Sequence, residues 1–265
     1  MQSELGRIGL LGGTGMLGSA IATGLIESGF AAPGDLAICS RSGRAEALAC
    51  YPGLRIMTET ARFCDSCDTV LLCLPPAATA GLRLPLENRL VLSVMAGVTL
   101  DGLSRISGSA RLVRAMSSPA AARRLAYTPW VASPGTTEAD RRGTAQLFSA
   151  IGATDRLEDE GLLDHFTAMT GPVPGFVAFF ADAMIRHAEA QGVPPQVADR
   201  AIRQLFFAAG QMMAEDATPP GGHVTQMIDY AGTTAAGLQA MQDGPIREAV
   251  SEGLAAAAAR ARGIA

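Results

Sequence analysis

An α/β fold, with a doubly wound parallel sheet followed by an all-helical C-terminal domain, is the architecture this 265-residue sequence predicts. Three observations carry that expectation. Residues 7–155 alternate short apolar runs with helical stretches and turn residues. A glycine-rich turn separates the first apolar run from the first helical stretch. Past residue 157 the chain becomes alanine-rich and helical in period, with no convincing strand. Strands alternating with helices build parallel βαβ units, and such units close into a doubly wound sheet.

Taken in order, Arg7–Leu11, Leu36–Cys39, Thr69–Leu74, Leu90–Val94 and Ala110–Arg114 each fit a buried strand. Helical segments separate several of them, including Gly15–Glu27 and Arg44–Cys50. The polar stretch Asp155-Arg-Leu-Glu-Asp-Glu-Gly161 marks a boundary, giving a nucleotide-binding domain over 1–157 and a helical domain over 158–265. Gly161–Ala190, Pro195–Glu215 and Ile246–Arg262 are the helices expected there. The run Ala255–Ala259 reads as part of the last one, because alanine is the strongest helix former. Helices this rich in apolar residues exceed what one small domain can bury, so packing against a second copy of the chain is expected.

Composition removes several chemistries. All 21 basic residues are arginine and the chain has no lysine. A Schiff-base lysine, a P-loop lysine and a lysine general acid are therefore excluded. A net charge of −4 with scattered arginines argues against a nucleic-acid surface. No apolar run approaches the roughly 20 residues needed to cross a bilayer, and the N-terminus lacks a signal-peptide pattern. Five cysteines fall between residues 39 and 73, an arrangement unlike a secreted disulfide framework, so a reducing cytoplasm is expected. Cys64-Asp-Ser-Cys67 has C-x-x-C spacing but neither a second pair nor a nearby histidine, and reads as two packing cysteines.

The most specific local signal is Ile8-Gly-Leu-Leu-Gly-Gly-Thr-Gly-Met-Leu-Gly-Ser-Ala20. Gly13, Gly15 and Gly18 satisfy G-x-G-x-x-G between a strand and a helix, the Rossmann-like dinucleotide fingerprint. On this reading Gly13 makes the tight turn, Gly15 admits a pyrophosphate, and Gly18 allows close strand–helix packing. Thr14, Met16 and Leu17 complete the loop, and the helix N-terminus supplies N–H donors for the anion. The second strand then ends Ala37-Ile-Cys-Ser-Arg-Ser-Gly-Arg44 with no carboxylate to take a ribose 2′-hydroxyl. Ser40, Arg41, Ser42 and Arg44 offer hydroxyl and guanidinium donors for a 2′-phosphate, so NADP(H) is the expected cofactor. A solvated polar loop is the competing reading of that segment. The turn after the third strand contributes Leu74 and Pro76, and the turn after the fourth contributes Ala96 and Gly97. Both border the ligand crevice at the C-terminal strand edges, or form plain packing turns.

Further along, Ser93-Val-Met-Ala-Gly-Val-Thr-Leu-Asp101 and Val113-Arg-Ala-Met116 resemble the pyrroline-5-carboxylate reductase pattern. So do Asp164-His-Phe-Thr-Ala-Met-Thr-Gly171 with Pro174, and Gly232-Thr-Thr234. Their order and spacing span essentially the whole chain. The resemblance implies reduction of a cyclic imine, Δ1-pyrroline-5-carboxylate, to proline with a nicotinamide cofactor. It also implies a homodimer or larger assembly with interlocking helical domains and a substrate site at the subunit interface. By the same resemblance Gly232, Thr233 and Thr234 bind substrate, with Thr234 as a hydrogen-bonding group.

The sequence departs from that pattern at three places. Met116-Ser-Ser-Pro119 is shorter than the family's Met-Pro-Asn-Thr-Pro, and Thr170-Gly-Pro-Val-Pro-Gly-Phe176 replaces Ser-Gly-Ser-Gly-Pro-Ala-Tyr. Asp229-Tyr-Ala precedes Gly232 where Ser-Pro-Gly is usual. An aspartate there repels a carboxylate, but suits a cationic iminium or a proton-donating role, and Tyr230 is a second candidate donor. Helix capping by Asp229 and core filling by Tyr230 are the structural alternatives. Two other families are of similar build. The β-hydroxyacid dehydrogenases characteristically use a lysine, which is absent. The F420-dependent NADP reductases share a Gly-Gly-Thr-Gly loop and a Ser-Arg segment like Gly12–Gly15 and Ser40-Arg41, and remain an alternative, as does a non-catalytic NADP-binding sensor.

Overall fold

Short apolar runs become the strands of one sheet in the computed structural model, which describes residues 4–171 and 173–262. In chain order the first elements are β1 (Ile8–Leu11), α1 (Met16–Glu27), β2 (Leu36–Cys39), β3 (Arg55–Met57), α2 (Thr60–Ser66) and β4 (Thr69–Leu72). Then follow β5 (Leu90–Ser93), α3 (Leu100–Ser107), β6 (Leu112–Ala115), β7 (Ala126–Tyr127), β8 (Trp130–Ala132), α4 (Glu138–Ser149) and β9 (Gly152–Ala153). The sheet order is β3-β2-β1-β4-β5-β6-β8, with β7 and β9 pairing separately. Every neighbouring pair in the large sheet is parallel except β6–β8. Strand order reverses between β1 and β4, which makes their C-terminal ends the topological switch point.

Apolar residues fill β1, β2, β4 and β5 almost without interruption because both faces of the sheet are covered. Ile8, Leu10, Leu36, Ile38, Leu71, Leu90 and Val113 join Ile21 and Leu25 of α1 and Leu147 and Phe148 of α4 in one core. Leu11, Ala37, Val70, Leu72, Val91 and Leu112 face the other way, onto Phe63 of α2 and Leu103 and Ile106 of α3. Each fully buried Leu, Ile or Phe contributes about 1.5–3 kcal/mol relative to exposure.

Several expectations change. Arg44–Cys50 is not an α-helix: only a single 3₁₀ turn forms, at Glu46–Leu48. Gly43 just before it is left-handed (φ 64°), and a segment this short gives too few hydrogen bonds to offset helix nucleation. The strand expected over Ala110–Arg114 runs from Leu112 to Ala115. The expected helix over Gly161–Ala190 is two, α5 (Leu162–Met169) and α6 (Gly175–Ala190), interrupted around Gly171 and Pro174. β3, β7, β8, β9, α2, α3 and α4, and two helices over Pro220–Asp229 and Thr233–Asp243, lie outside the elements expected from the sequence.

Contacts gather the described residues into two compact units. The first holds the chain through Gly171 together with the stretch from Ala255 onward, and the second holds the stretch between them. In the second, α6 packs on α7 (Pro195–Glu215), and α8 (Pro220–Asp229) packs on α9 (Thr233–Asp243). The last helix, α10 (Ile246–Arg262), completes the chain order. Neither α6 nor α8 has a buried residue. Large apolar side chains stand exposed on α6 and α7, including Phe179 at 71% and Phe207 at 60%. Among the described residues, no helix is long and apolar enough to cross a membrane.

The start of the sheet is tied by charge. Asp68, just before β4, accepts from the Arg7 backbone N–H at 2.9 Å and from Arg7 Nε at 3.0 Å, and lies 3.6 Å from Arg89 Nη1. The Arg7 hydrogen bonds, helped by the charges of Arg7 and Arg89, pull the Asp68 carboxyl down to about 2. A lowered folded-state value stabilises the fold above the unfolded carboxyl's range near 3.8, and the effect fades as pH falls toward 2. Asp68→Asn should therefore lower Tm at pH 6 and flatten its fall between pH 4 and 2, measured by thermal scans across that range. Parallel Tm–pH curves for the two proteins would contradict this role.

Candidate functional site

The loop Gly12–Gly15 joins β1 to α1 at the switch point. Gly12, not Gly13, takes the left-handed conformation that turns the chain (φ 83°). Its carbonyl accepts the Gly15 N–H at 3.1 Å. At Gly18 a Cβ would lie 2.5 Å from the Gly12 oxygen and 2.6 Å from Gly13 Cα, so a larger residue would push α1 away from the turn. Gly15 differs. A Cβ there would meet only the Gly12 oxygen, at 3.4 Å, and Gly15 lines an open cleft of about 900 Å³. The protein's own packing leaves room at Gly15, as a site for close approach of a phosphate requires.

Of the residues expected to hold cofactor, Thr14, Gly15, Met16, Leu17, Ser40, Arg41, Leu74, Pro76 and Ala96 line this cleft. Gly13 and Gly18 stand behind it in the packing of the turn, and Ser42, Arg44 and Gly97 are not part of its lining. Ser42 Oγ instead accepts the Arg44 N–H at 3.3 Å. Residues that sequence reading missed include Gly12, Cys39, Thr58, Thr60 and Cys73. Thr58 directly follows β3, whose apolar signal is only Ile56 and Met57, and Thr60 opens α2. Burial pushes the Cys73 thiol up to about 12, so that wall of the cleft is neutral.

Among the described residues lining the cleft, Arg41 is the only charged side chain. Beside it the Ser40 hydroxyl oxygen is buried without a hydrogen-bond partner. An unpaired buried hydroxyl costs about 1–3 kcal/mol, which a ligand oxygen would recover. An orphaned hydroxyl, a guanidinium and no carboxylate form a donor set that fits a phosphate monoester on a ribose.

The residues expected to meet substrate lie in the second compact unit, at the elbow between α8 and α9. Asp229 ends α8, Tyr230 is its C-cap, and Ala231 takes the left-handed conformation (φ 58°) that reverses the chain. Gly232 is the N-cap of α9, followed by Thr233 and Thr234. Asp229 sits at the C-terminal end of α8, so helix N-capping does not account for it, and Tyr230 is 84% exposed, so core filling does not either. Asp229, Gly232, Thr233 and Thr234 are all exposed. Within the other divergent segments, the Ser117 and Thr128 hydroxyls lie 3.0 Å apart and satisfy each other, while Pro172 falls outside the described residues. Cys64 and Cys67 are buried beside Phe63, with both thiols raised by burial. No group of three or more His, Cys, Asp or Glu side chains is placed to hold a metal among the described residues.

Comparison with known proteins supplies the lineage. The family model described as pyrroline-5-carboxylate reductase dimerisation matches residues 160–264. The model described as NADP oxidoreductase, coenzyme F420-dependent, matches residues 7–97. A pyrroline-5-carboxylate reductase of Schizosaccharomyces pombe is 31% identical, over 74% of this chain and 71% of that protein. The chain belongs to the pyrroline-5-carboxylate reductase family. Another reductase of that name, from Arabidopsis thaliana, is 27% identical over 98% of this chain and 96% of its own. The fold of pyrroline carboxylate reductase from Plasmodium falciparum, solved with NADP bound, superposes with a TM-score of 0.82. That likeness spans 100% of this chain and 99% of that one at 18% identity.

The two loop glycines should separate on substitution. Gly18→Ala should cost about 1–3 kcal/mol through overpacking, seen as a Tm lower by several degrees. Gly15→Ala should keep more of the Tm yet weaken dinucleotide binding at least tenfold in a fluorescence titration. Equal Tm losses would show that both glycines serve packing alone.

Proposed function

We propose that the protein reduces the C=N bond of a cyclic imine, Δ1-pyrroline-5-carboxylate to proline, with NADPH as reductant. The observation that carries this reading is the end-to-end match to a pyrroline-5-carboxylate reductase, 98% of this chain against 96% of the relative. The F420-dependent alternative has less behind it, because that model reaches only residues 7–97. NADP(H) follows from the N-terminal NADP oxidoreductase model and from the Ser40–Arg41 donor set.

In this reading residues 1–157 bind the dinucleotide and residues 158–265 carry substrate recognition and dimerisation. The dimerisation model over 160–264 and the exposed Phe179 and Phe207 support a homodimer built through the helical segment. Five free cysteines suit a cytoplasmic setting.

Ser40 and Arg41 hold the 2′-phosphate, with Ser42 and Arg44 nearby in the same loop, while Gly15 and the α1 N-terminus receive the pyrophosphate. Leu74, Pro76 and Ala96 would form the apolar flank that keeps water from the reacting ring, with Gly97 turning the loop beyond Ala96. When bound, NADPH supplies the hydride for the imine carbon. Thr234 donates a hydrogen bond to the substrate, with Gly232 and Thr233 presenting backbone at the start of α9. Asp229 would favour the protonated iminium or itself supply the imine proton, with the Tyr230 phenol as the other candidate donor. With no lysine available, the rate comes mainly from orientation and desolvation.

NADPH oxidation should be followed with pyrroline-5-carboxylate, pyrroline-2-carboxylate and piperideine carboxylates. Turnover is expected with the first, and dinucleotide binding without turnover on any of them would instead identify a sensor. Arg41→Asp should raise the NADPH KM about tenfold, ~1.4 kcal/mol, and leave NADH use little changed. Equal wild-type use of both dinucleotides would overturn the NADP(H) preference. Thr234→Ala should raise the imine KM or lower turnover, and unchanged kinetics would remove Thr234 from the site.

A further inference from the structure

Arg114 stands on β6 with its side chain only 5% exposed, paired to Glu160 Oε1 at 3.1 Å and to Asp164 Oδ1 at 2.7 Å. A guanidinium this deeply buried needs such partners. The two carboxylates have different second tasks. Glu160 Oε1 also accepts the backbone N–H of Leu100, at 2.8 Å, on the first residue of α3. Asp164 makes no such bond to α3 among the described residues. A carboxylate is favoured at a helix start, where N–H groups lack partners and the dipole is positive.

Leu100 closes the loop that leaves β5. The near end of that loop is anchored on the sheet, with the Val94 N–H donating to the Leu72 carbonyl at 3.1 Å and the Met95 N–H to Ser93 Oγ at 3.2 Å. It then turns at Gly97 (φ 74°), and its far end is tied to Glu160. Val94, at the near anchor, and Ala96, between the anchors, line the dinucleotide cleft. The loop's position is thus set from one side by the sheet and from the other by a carboxylate that Arg114 orients.

We propose that Glu160, oriented by Arg114, is a positioning residue for the cofactor cleft, holding the β5–α3 loop where it receives the dinucleotide. The inference rests on the cleft being an NADP(H) site. Glu160 comes just before α5, so the same contact links the start of the helical segment to the cleft wall.

Arg114 is a poor probe, because its loss would leave two carboxylates facing each other. Three milder variants decide the matter, each followed by Tm and by fluorescence titration with NADPH. Glu160→Ala should raise the Kd for NADPH at least fivefold. Glu160→Gln, whose amide oxygen still accepts from Leu100, should stay within twofold of wild type. Asp164→Asn should lower Tm while leaving the Kd within twofold. A Glu160→Ala protein that binds NADPH as wild type does would overturn the proposal. So would an Asp164→Asn protein that loses as much affinity as Glu160→Ala. Absence of NADPH binding by the wild type would overturn the cofactor reading and this inference with it.

Discussion

The close approach of α1 to the turn after β1 is the constraint on which the first unit depends. Gly12 must be left-handed for the chain to turn at the switch point, and Gly18 must lack a Cβ for the helix to seat against that turn. Seated there, α1 buries Ile21 and Leu25 against β1 and β2, and its N-terminus opens into the cleft. The same geometry that closes the core therefore leaves the cleft open at Gly15. Gly15 has no comparable packing reason to be glycine, and that contrast separates a ligand-facing residue from a structural one within one short loop.

Charge organises the edges of this unit, where apolar packing is thin. Arg7, Asp68 and Arg89 tie the beginnings of β1, β4 and β5, while Arg111 and Asp140 link β6 to the capping box of α4. Arg114 does the corresponding work at depth. A lysine-free chain suits these roles, since a guanidinium can serve two carboxylates in fixed directions where an ammonium offers a point charge. The same substitution pattern leaves the cleft with Arg41 as its charged group and with no residue able to form a Schiff base.

The helical segment between Gly171 and Ala255 follows a different rule. Its helices have regular period, yet α6 and α8 bury nothing and α7 buries only Ala198. Side chains such as Phe179 and Phe207 have the character of a core without a core around them in one copy of the chain. The family model described as pyrroline-5-carboxylate reductase dimerisation, over residues 160–264, covers this segment.

The doubly covered sheet was legible in the sequence because strands buried on both faces form short, nearly continuous apolar runs, as in Val70–Leu72 and Leu90–Leu92. The glycine loop was legible because backbone geometry admits few other residues there. β3 escaped notice because it is an edge strand of three residues with two exposed side chains, and α2 and α3 because each is barely two turns long. Sequence alone determined the fold class, the glycine turn between β1 and α1 and the absence of lysine, since these depend on local periodicity and residue type. Only tertiary structure decided that Gly12 rather than Gly13 makes the turn, that Thr58 and Thr60 join the cleft, and that Glu160 reaches Leu100 across 60 residues. Those facts arise from contacts between distant segments, and no spacing along the chain encodes them.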